Sequence, residues 1–442
     1  MYSILFVCVF TSIHWSYDTS CEKGEIFRFD RILLLGQVNI YHLFAGLFFL
    51  IVFFVKFDPH SNGSILGDKN YLKNIFWMYF VPVNILIYIA TYTQNISLED
   101  LGVFPIAKFF IYLIVVYYVQ DIFFRDKDSK QLNNSLTILE LLILIRCCYS
   151  IFKYLLGFGA QNPITGGVRL GQENDFADFF ILLFIIALTR LLFGKNENKW
   201  NRVLHILGII TSSCVAIFSF RRYFLIELLI AIAIISFFHY RFNVANFNKK
   251  IIAVCLSVVF IIGMILFLGP NRLIHNYYIG RMLSSLSLLS YKYESQYGTG
   301  TGHGEEIRDG WYNVKKNWLL GVTPFGVEKI QRFETREWQT GYFVHNGYLQ
   351  VWLIYGLLGF ILFIFLYFKS LQLGHIVFFK FNNKLGLILI AFIACQMVKN
   401  IVVPTAIRFE NITVIYIFLI SLVLKAKRLE DLNNINDDDR DN

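Results

Sequence analysis

Long apolar blocks alternate with short polar stretches through almost all of this chain. A helix needs about 20 apolar residues to cross a bilayer. That ruler predicts about twelve spans, at 1–15, 32–56, 71–93, 104–124, 134–156, 175–193, 203–219, 221–240, 250–269, 346–368, 384–403 and 411–425. The first block is short and has no basic segment before it, so it makes a poor signal peptide. The expected fold class is all-α, a polytopic transmembrane helical bundle. One connection breaks the run of short loops: residues 270–345, rich in Trp, Tyr, Gly and charge. A loop of that length is more often a lid or part of a site than a connector. The expected organisation is therefore spans over 1–269, a long outer loop over 270–345, spans over 346–425 and an acidic, Asn-rich tail over 426–442.

Composition agrees with this. Of 442 residues, 56% are hydrophobic and only 16% charged, and the mean hydropathy is +0.54; a soluble domain of this length needs more polar surface. The net charge of +9 is no nucleic-acid patch, because the basic residues fall in small clusters between apolar blocks. Alternate connections carry Lys56/Lys69/Lys73, Arg125/Lys127/Lys130, Lys195/Lys199/Arg202, Arg241/Lys249/Lys250, Lys369/Lys380/Lys384 and Lys425/Lys427/Arg428. The positive-inside rule puts these and both termini in the cytoplasm. The opposite connections are poor in basic residues, apart from 16–31 with Lys23, Arg28 and Arg31. Of the seven cysteines only Cys21 is expected outside an apolar block, and none is spaced for a disulfide framework or a metal site.

Three places on the outer side carry candidate chemistry. Arg221 and Arg222 mark a tight turn before a helix, where a guanidinium and free backbone N–H groups suit a phosphate. Snorkelling to lipid headgroups is the alternative for both. Glu227 lies about 9 Å deeper on that helix, where a buried carboxylate would hold an arginine. Arg169 is the lone base of its loop. With Arg408, Lys153 and Lys399 it would line a positive cavity. Asn174 or Asp175 caps the helix that follows. Glu140 and Arg146, within one span, are expected to form an intramembrane ion pair. Finally, His345 stands where the long loop returns to the membrane as a helix. The helix N-terminus disfavours imidazolium, leaving a ring suited to accept a hydroxyl proton. A lone histidine is nevertheless usually structural. Gly298-Thr299-Gly300-Thr301-Gly302 reads as a hinge, and Trp311, Trp318 and Trp338 call for packing partners.

Taken together, these pieces resemble the bacterial O-antigen polymerase and O-antigen ligase family. His345-Asn346-Gly347-Tyr348-Leu349, followed by Tyr355-Gly356-Leu357-Leu358-Gly359, is similar to the family's HN-x-x-L … x-G-x-x-G start of a late span. Arg308-Asp309-Gly310-Trp311, then Asn317-Trp318-Leu319-Leu320-Gly321-Val322-Thr323-Pro324-Phe325-Gly326, resembles its R-x-x-x-W … P-L-x-G-x-G-x-G segment. Arg221-Arg222 resembles its S-R turn and Arg169 … Asn174 its earlier R … N segment. Phe220-Arg221 replaces the Ser-Arg pair, Trp318 stands where a proline is frequent, and Thr323 and Pro324 interrupt the glycine spacing.

The resemblance implies a GT-C-type membrane glycosyltransferase of the bacterial inner membrane. It would act at the periplasmic face on undecaprenyl-pyrophosphate-linked oligosaccharides as donor and acceptor, by inverting transfer with no metal and no cofactor. His345 would be the general base; Arg308, Arg221 and Arg222 would stabilise the leaving diphosphate. Arg169, Arg408, Asn346, Trp311 and Glu227 would bind substrate. Membrane lipids and a chain-length regulator protein are the other implied partners, with no nucleic acid. The loop's aromatic side chains suit sugar stacking or helix packing equally. A polymerase is favoured over a ligase that moves the glycan to lipid A–core, since no additional acceptor-binding domain is visible. A lipid-linked oligosaccharide transporter is the third reading; it would call for paired repeats and polar groups at mid-membrane depth.

Overall fold

The computed structural model describes residues 33–35, 38–39, 129–156, 176–194, 198–219, 222–242, 300–321, 329–340, 344, 346–402 and 411–438. Among them the architecture is helical, with two short antiparallel strand pairs. In chain order the elements are β1 (Leu33–Leu35), β2 (Val38–Asn39), α1 (Ser129–Leu155), α2 (Phe176–Phe193), α3 (Lys199–Phe218), α4 (Arg222–Phe242), α5 (Gly300–Lys316), β3 (Lys329–Gln331), β4 (Trp338–Thr340), α6 (Gly347–Phe381), α7 (Lys384–Val402) and α8 (Asn411–Asp438).

The centre is α2. Every residue from Phe179 to Leu188 is fully buried, so this run, apolar around its whole circumference, is covered by protein on every side. Helices α1, α3, α4 and α7 surround it, while α6 and α8 lie against α7. Four described helices are long and apolar enough to cross a membrane, over 132–152, 223–242, 347–381 and 384–401. The chain is thus a multi-pass membrane protein.

Helix α6 is not a straight rod. Gly356 interrupts it with φ 68° and ψ −171°, a backbone shape that favours glycine. The rings of Trp352 and Phe360 stack 5.2 Å apart, and those of Tyr348 and Phe363 lie 6.1 Å apart. In an unbroken helix residues 348 and 363 would be about 22 Å apart along the axis. The limb over 347–355 therefore folds back on the limb over 357–381, with Gly356 at the tip. The longer limb measures about 37 Å and is long enough to cross a bilayer by itself. Asn346 starts the short limb, its side chain accepting the Leu349 N–H. Asn382, in the left-handed conformation, stops the long one.

Several sequence expectations change here. The span expected at 346–368 is this hairpin plus a continuation to Phe381. Lys369 consequently lies on a helix, not in a loop, and only Lys380 and Lys384 flank the turn at 382–383. Gly374, the one glycine between Lys369 and Phe381, does not stop the helix but lies inside it, packed against Gly386 and Ile390 of α7. The start of the block at 32–56 is a strand pair, Leu33 opposite Asn39 and Leu35 opposite Val38. Gly300–Gly302 of the expected hinge form the first turn of α5. Helix α8 continues through most of the acidic tail to Asp438, with Asp431 near Lys380 and Lys427, each 3.7 Å away.

The expected Glu140–Arg146 pair is also replaced. Six residues turn a helix by about 600°, so the two side chains leave different faces. Glu140 Oε2 instead accepts Arg190 Nη1 at 3.0 Å, and its Oε1 lies 2.6 Å from His205 Nδ1. Arg190 also reaches Thr137 and Asn133. Arg146 places its guanidinium 4.5 Å above the Phe179 ring. The expected spans at 1–15, 71–93, 104–124 and 250–269 lie outside the described residues.

Candidate functional site

The segment around His345 is where three chain regions meet. His345 itself lies outside the described residues, but its sequence neighbours do not. Val344 is fully buried, and its N–H donates to Gln350 Oε1 at 3.0 Å. Asn346 N–H donates to the Val344 carbonyl at 2.7 Å. Asn346 was expected to bind substrate; here it caps α6 and donates through Nδ2 to the Ile401 carbonyl at 3.1 Å. Tyr348 OH donates to the Met397 carbonyl at 2.7 Å. The first turn of α6 is thus tied to the last turns of α7 by side chains that spend their polarity on exposed helix-end groups.

Around that junction the interior is polar. Asn400 is fully buried and donates to Tyr367 OH at 2.7 Å, while Gly347 sits directly against its side chain. On α4, Glu227 is fully buried, and its carbonyl accepts from Cys395 of α7 at 3.3 Å. One helical turn on along α7, and one turn back along α4, Lys399 Nζ stands 6.0 Å from the Tyr223 ring centroid. Glu227 and Lys399 therefore occupy facing sides of α4 and α7, both out of water. Glu227 lies five residues past the start of α4, beside α7.

Helix α5 covers this junction. A Cβ added at Gly310 would lie 2.9 Å from both Leu349 Cδ2 and Val344 Cγ2, so α5 packs directly onto the residues flanking His345. Trp311 meets Trp352 with ring centroids 5.7 Å apart and remains 45% exposed. On the far side of α5 the β3–β4 hairpin is docked by polar bonds. Asn313 Nδ2 donates to the Gln331 carbonyl at 2.8 Å, and Asp309 Oδ1 accepts the Phe333 N–H at 2.8 Å. Arg308 pairs with Glu334 and stacks its guanidinium 5.2 Å from the Phe333 ring. Lys316 and Arg336 both lie over the Tyr312 ring, at 4.3 and 4.5 Å. The hydrogen bond from Lys316, and then the charge of Arg336, hold the Tyr312 phenol below its usual range.

The tip of the α6 hairpin receives the turn that follows α5. Leu357 N–H donates to the Trp318 carbonyl at 2.9 Å, and Trp352 Nε1 donates to the same oxygen at 3.0 Å. Gly321, with φ 75°, lies against the backbone of Ile354 and Gly356, and Gly356 against the Leu319 carbonyl. A side chain at either glycine would run into backbone. These are glycines of two separate motifs quoted above; each exists because of the other.

Of the sequence-predicted residues, the structure brings Arg308 and Trp311 on α5, Asn346 on α6 and Glu227 on α4 to one end of the bundle. Arg222 opens α4, its side chain outside the described residues; Arg169, Arg221 and Arg408 lie wholly outside them. Sequence reasoning missed Glu334, Asn313, Gln350, Tyr367 and Asn400. Only the capping role of Asn346, three residues before Leu349, was visible in a local spacing rule. Among the described residues no three His, Cys, Asp or Glu side chains gather closely enough to hold a metal ion.

No curated protein matches the chain. Residues 207–364, from within α3 into the long limb of α6, match the family described as O-antigen ligase.

Proposed function

We propose that this protein is a glycosyltransferase that joins oligosaccharide repeat units carried on a polyprenyl diphosphate, working at the periplasmic face of the bacterial inner membrane. The observation that carries the reading is the packing of α5 on Val344 and Leu349. It sets the helix bearing Arg308 against the segment holding His345, beside buried Glu227, Lys399 and Asn400. In the proposed step a sugar hydroxyl of the acceptor attacks the anomeric carbon of the donor. His345 takes the hydroxyl proton as the new C–O bond forms. The bond from the anomeric carbon to the diphosphate breaks, and the diphosphate leaves on its lipid with the electron pair. Its growing charge is met by arginines, Arg308 with Arg221, Arg222, Arg169 and Arg408. Arg308 first exchanges Glu334 for a phosphate oxygen. Exposed ion pairs of that kind are worth about 0–1 kcal/mol, so the exchange is cheap.

The same reading takes the full chain as a bundle of about twelve spans of the GT-C type, with cytoplasmic termini, and residues 270–345 as a periplasmic loop. Lipid-linked oligosaccharide serves as donor and acceptor, and a chain-length regulator as partner. Transfer of the glycan to lipid A–core is the second reading, favoured by the description of the matched family as O-antigen ligase.

The test is a gel of purified protein supplied with lipid-linked repeat unit alone. A ladder of lengthening lipid-linked products is expected. The ladder should vanish in His345→Ala by a factor of about 10²–10⁴, with the protein still inserted and monodisperse. No ladder, but transfer once lipid A–core is added, would establish the ligase. A normal ladder in His345→Ala would remove that residue from the mechanism.

A further inference from the structure

The turn after α5 exposes three large side chains in succession: Trp318 at 52%, Leu319 at 52% and Leu320 at 39%. This exposure does not come from a loose loop. The Trp318 carbonyl accepts from both Leu357 N–H and Trp352 Nε1, and Gly321 is locked between Ile354 and Gly356. The backbone is held tightly while the side chains are turned outward.

Two independent features say what covers them. The first is depth. Gly356 and Lys380 belong to one continuous limb of α6, about 24 residues or roughly 36 Å apart. Lys380, with Lys384 and Lys427 nearby, marks one headgroup layer. The hydrocarbon core is about 30 Å thick, so Gly356 falls at the opposite boundary. Trp352, Phe360 and Trp311, whose rings touch in sequence, stand at the same height, where tryptophan is enriched in membrane proteins. The second feature is continuity. Leu358, Ile361, Phe365 and Phe368 are all exposed and recur every three or four residues, forming one lipid-facing stripe down the limb. Leu319 and Leu320, at the Leu357 end, extend that stripe beyond the helix tip.

We propose that Trp318-Leu319-Leu320 is an interfacial anchor. It is a short apolar tongue seated in the headgroup–acyl boundary of the bilayer, at the end of the molecule opposite Lys380. Through Gly321 and Gly356 it fixes α5 and the docked hairpin to the membrane surface. The unit bearing Arg308 is then held at the level where the phosphates of any membrane lipid lie, and does not swing as a free lid. The anchor itself does not depend on the glycosyltransferase reading.

The test places a genetically encoded, environment-sensitive fluorescent residue at position 320, with reference sites at Lys315 on α5 and Phe365 on the lipid-facing stripe. Each full-length variant is reconstituted in liposomes. Quenching is read with lipids nitroxide-labelled near the headgroup, lipids labelled at the chain end, and aqueous iodide. Position 320 is expected to be quenched best by the shallow nitroxide and several-fold less by iodide than position 315. Equal iodide quenching at 320 and 315 would overturn the anchor, as would stronger quenching from the chain-end label. If the variant at 320 is not monodisperse, position 319 gives the same reading, because only the backbone carbonyl of that residue is engaged.

Discussion

Two of the buried charge groups among the described residues have contrasting surroundings. Glu140, Arg190 and His205 lie where three regular helices, α1, α2 and α3, enclose them, and Asn133 and Thr137 complete the set. Glu227 and Lys399, equally buried, lie where helices end. The first turn of α6 and the last turn of α7 meet there, with α5 above. Burial and charge are alike in the two places. What differs is the presence of chain that leaves helical geometry, and with it the capacity to admit a ligand. The first group reads as a structural knot; the second borders the proposed site.

The strongest way to break that comparison is Glu140→Ala. Removing one partner of a buried ion pair typically costs about 3–5 kcal/mol. The variant is expected to unfold far more easily in a denaturant titration in detergent while its folded fraction keeps full turnover per molecule. A lost turnover with unchanged stability would make the inner knot functional and erase the distinction.

Gly356→Ala sharpens the comparison from the other side. The backbone shape of Gly356, at φ 68° and ψ −171°, is nearly exclusive to glycine and costs a residue with a Cβ about 1–3 kcal/mol, and the collision with the Leu319 carbonyl adds to it. Melting should fall by at least that amount. Activity should fall further than stability, because α5 and the short limb of α6 lose their common seat. A fall in stability alone would mean that the tip only braces the fold.

The smallest effect is spectroscopic. The Tyr312 phenol is shifted downward by Lys316 and then Arg336, so it contributes stability above its unfolded pKa of about 10 and loses it as pH falls through the lower folded value. Difference absorbance should show a tyrosine ionising ahead of the rest, and Lys316→Ala should return it to the main group. No early tyrosine would mean that Lys316 does not hold its place over the Tyr312 ring in solution.

Much of the bundle was legible because apolar blocks of helical length declare themselves. α2, α4 and α7 begin and end within about two residues of where the blocks do. The hairpin in α6 was not legible. Both limbs are apolar, the break is one glycine, and the sign of a φ angle leaves no trace in composition. The Arg308–Glu334 contact was equally hidden, since 26 residues and a hairpin separate the partners. Glu140 and Arg146 look paired only while helical periodicity is ignored, since a spacing of six residues already puts them on different faces. At the site, the motif residues were visible as a set. That Gly321 and Gly356 are two halves of one joint follows only from the packing.

That joint has a mechanical corollary. One extra residue turns a helix by about 100°, and the α6 tip has no slack in which to absorb it. The turn at 382–383 is different: its cap asparagine already occupies the left-handed conformation, and its polar neighbours face outward. Length changes are therefore tolerable at one end of the long limb and ruinous at the other. The contact of Trp318–Gly321 with Ile354–Leu357 behaves as a buckle whose holes admit only one setting.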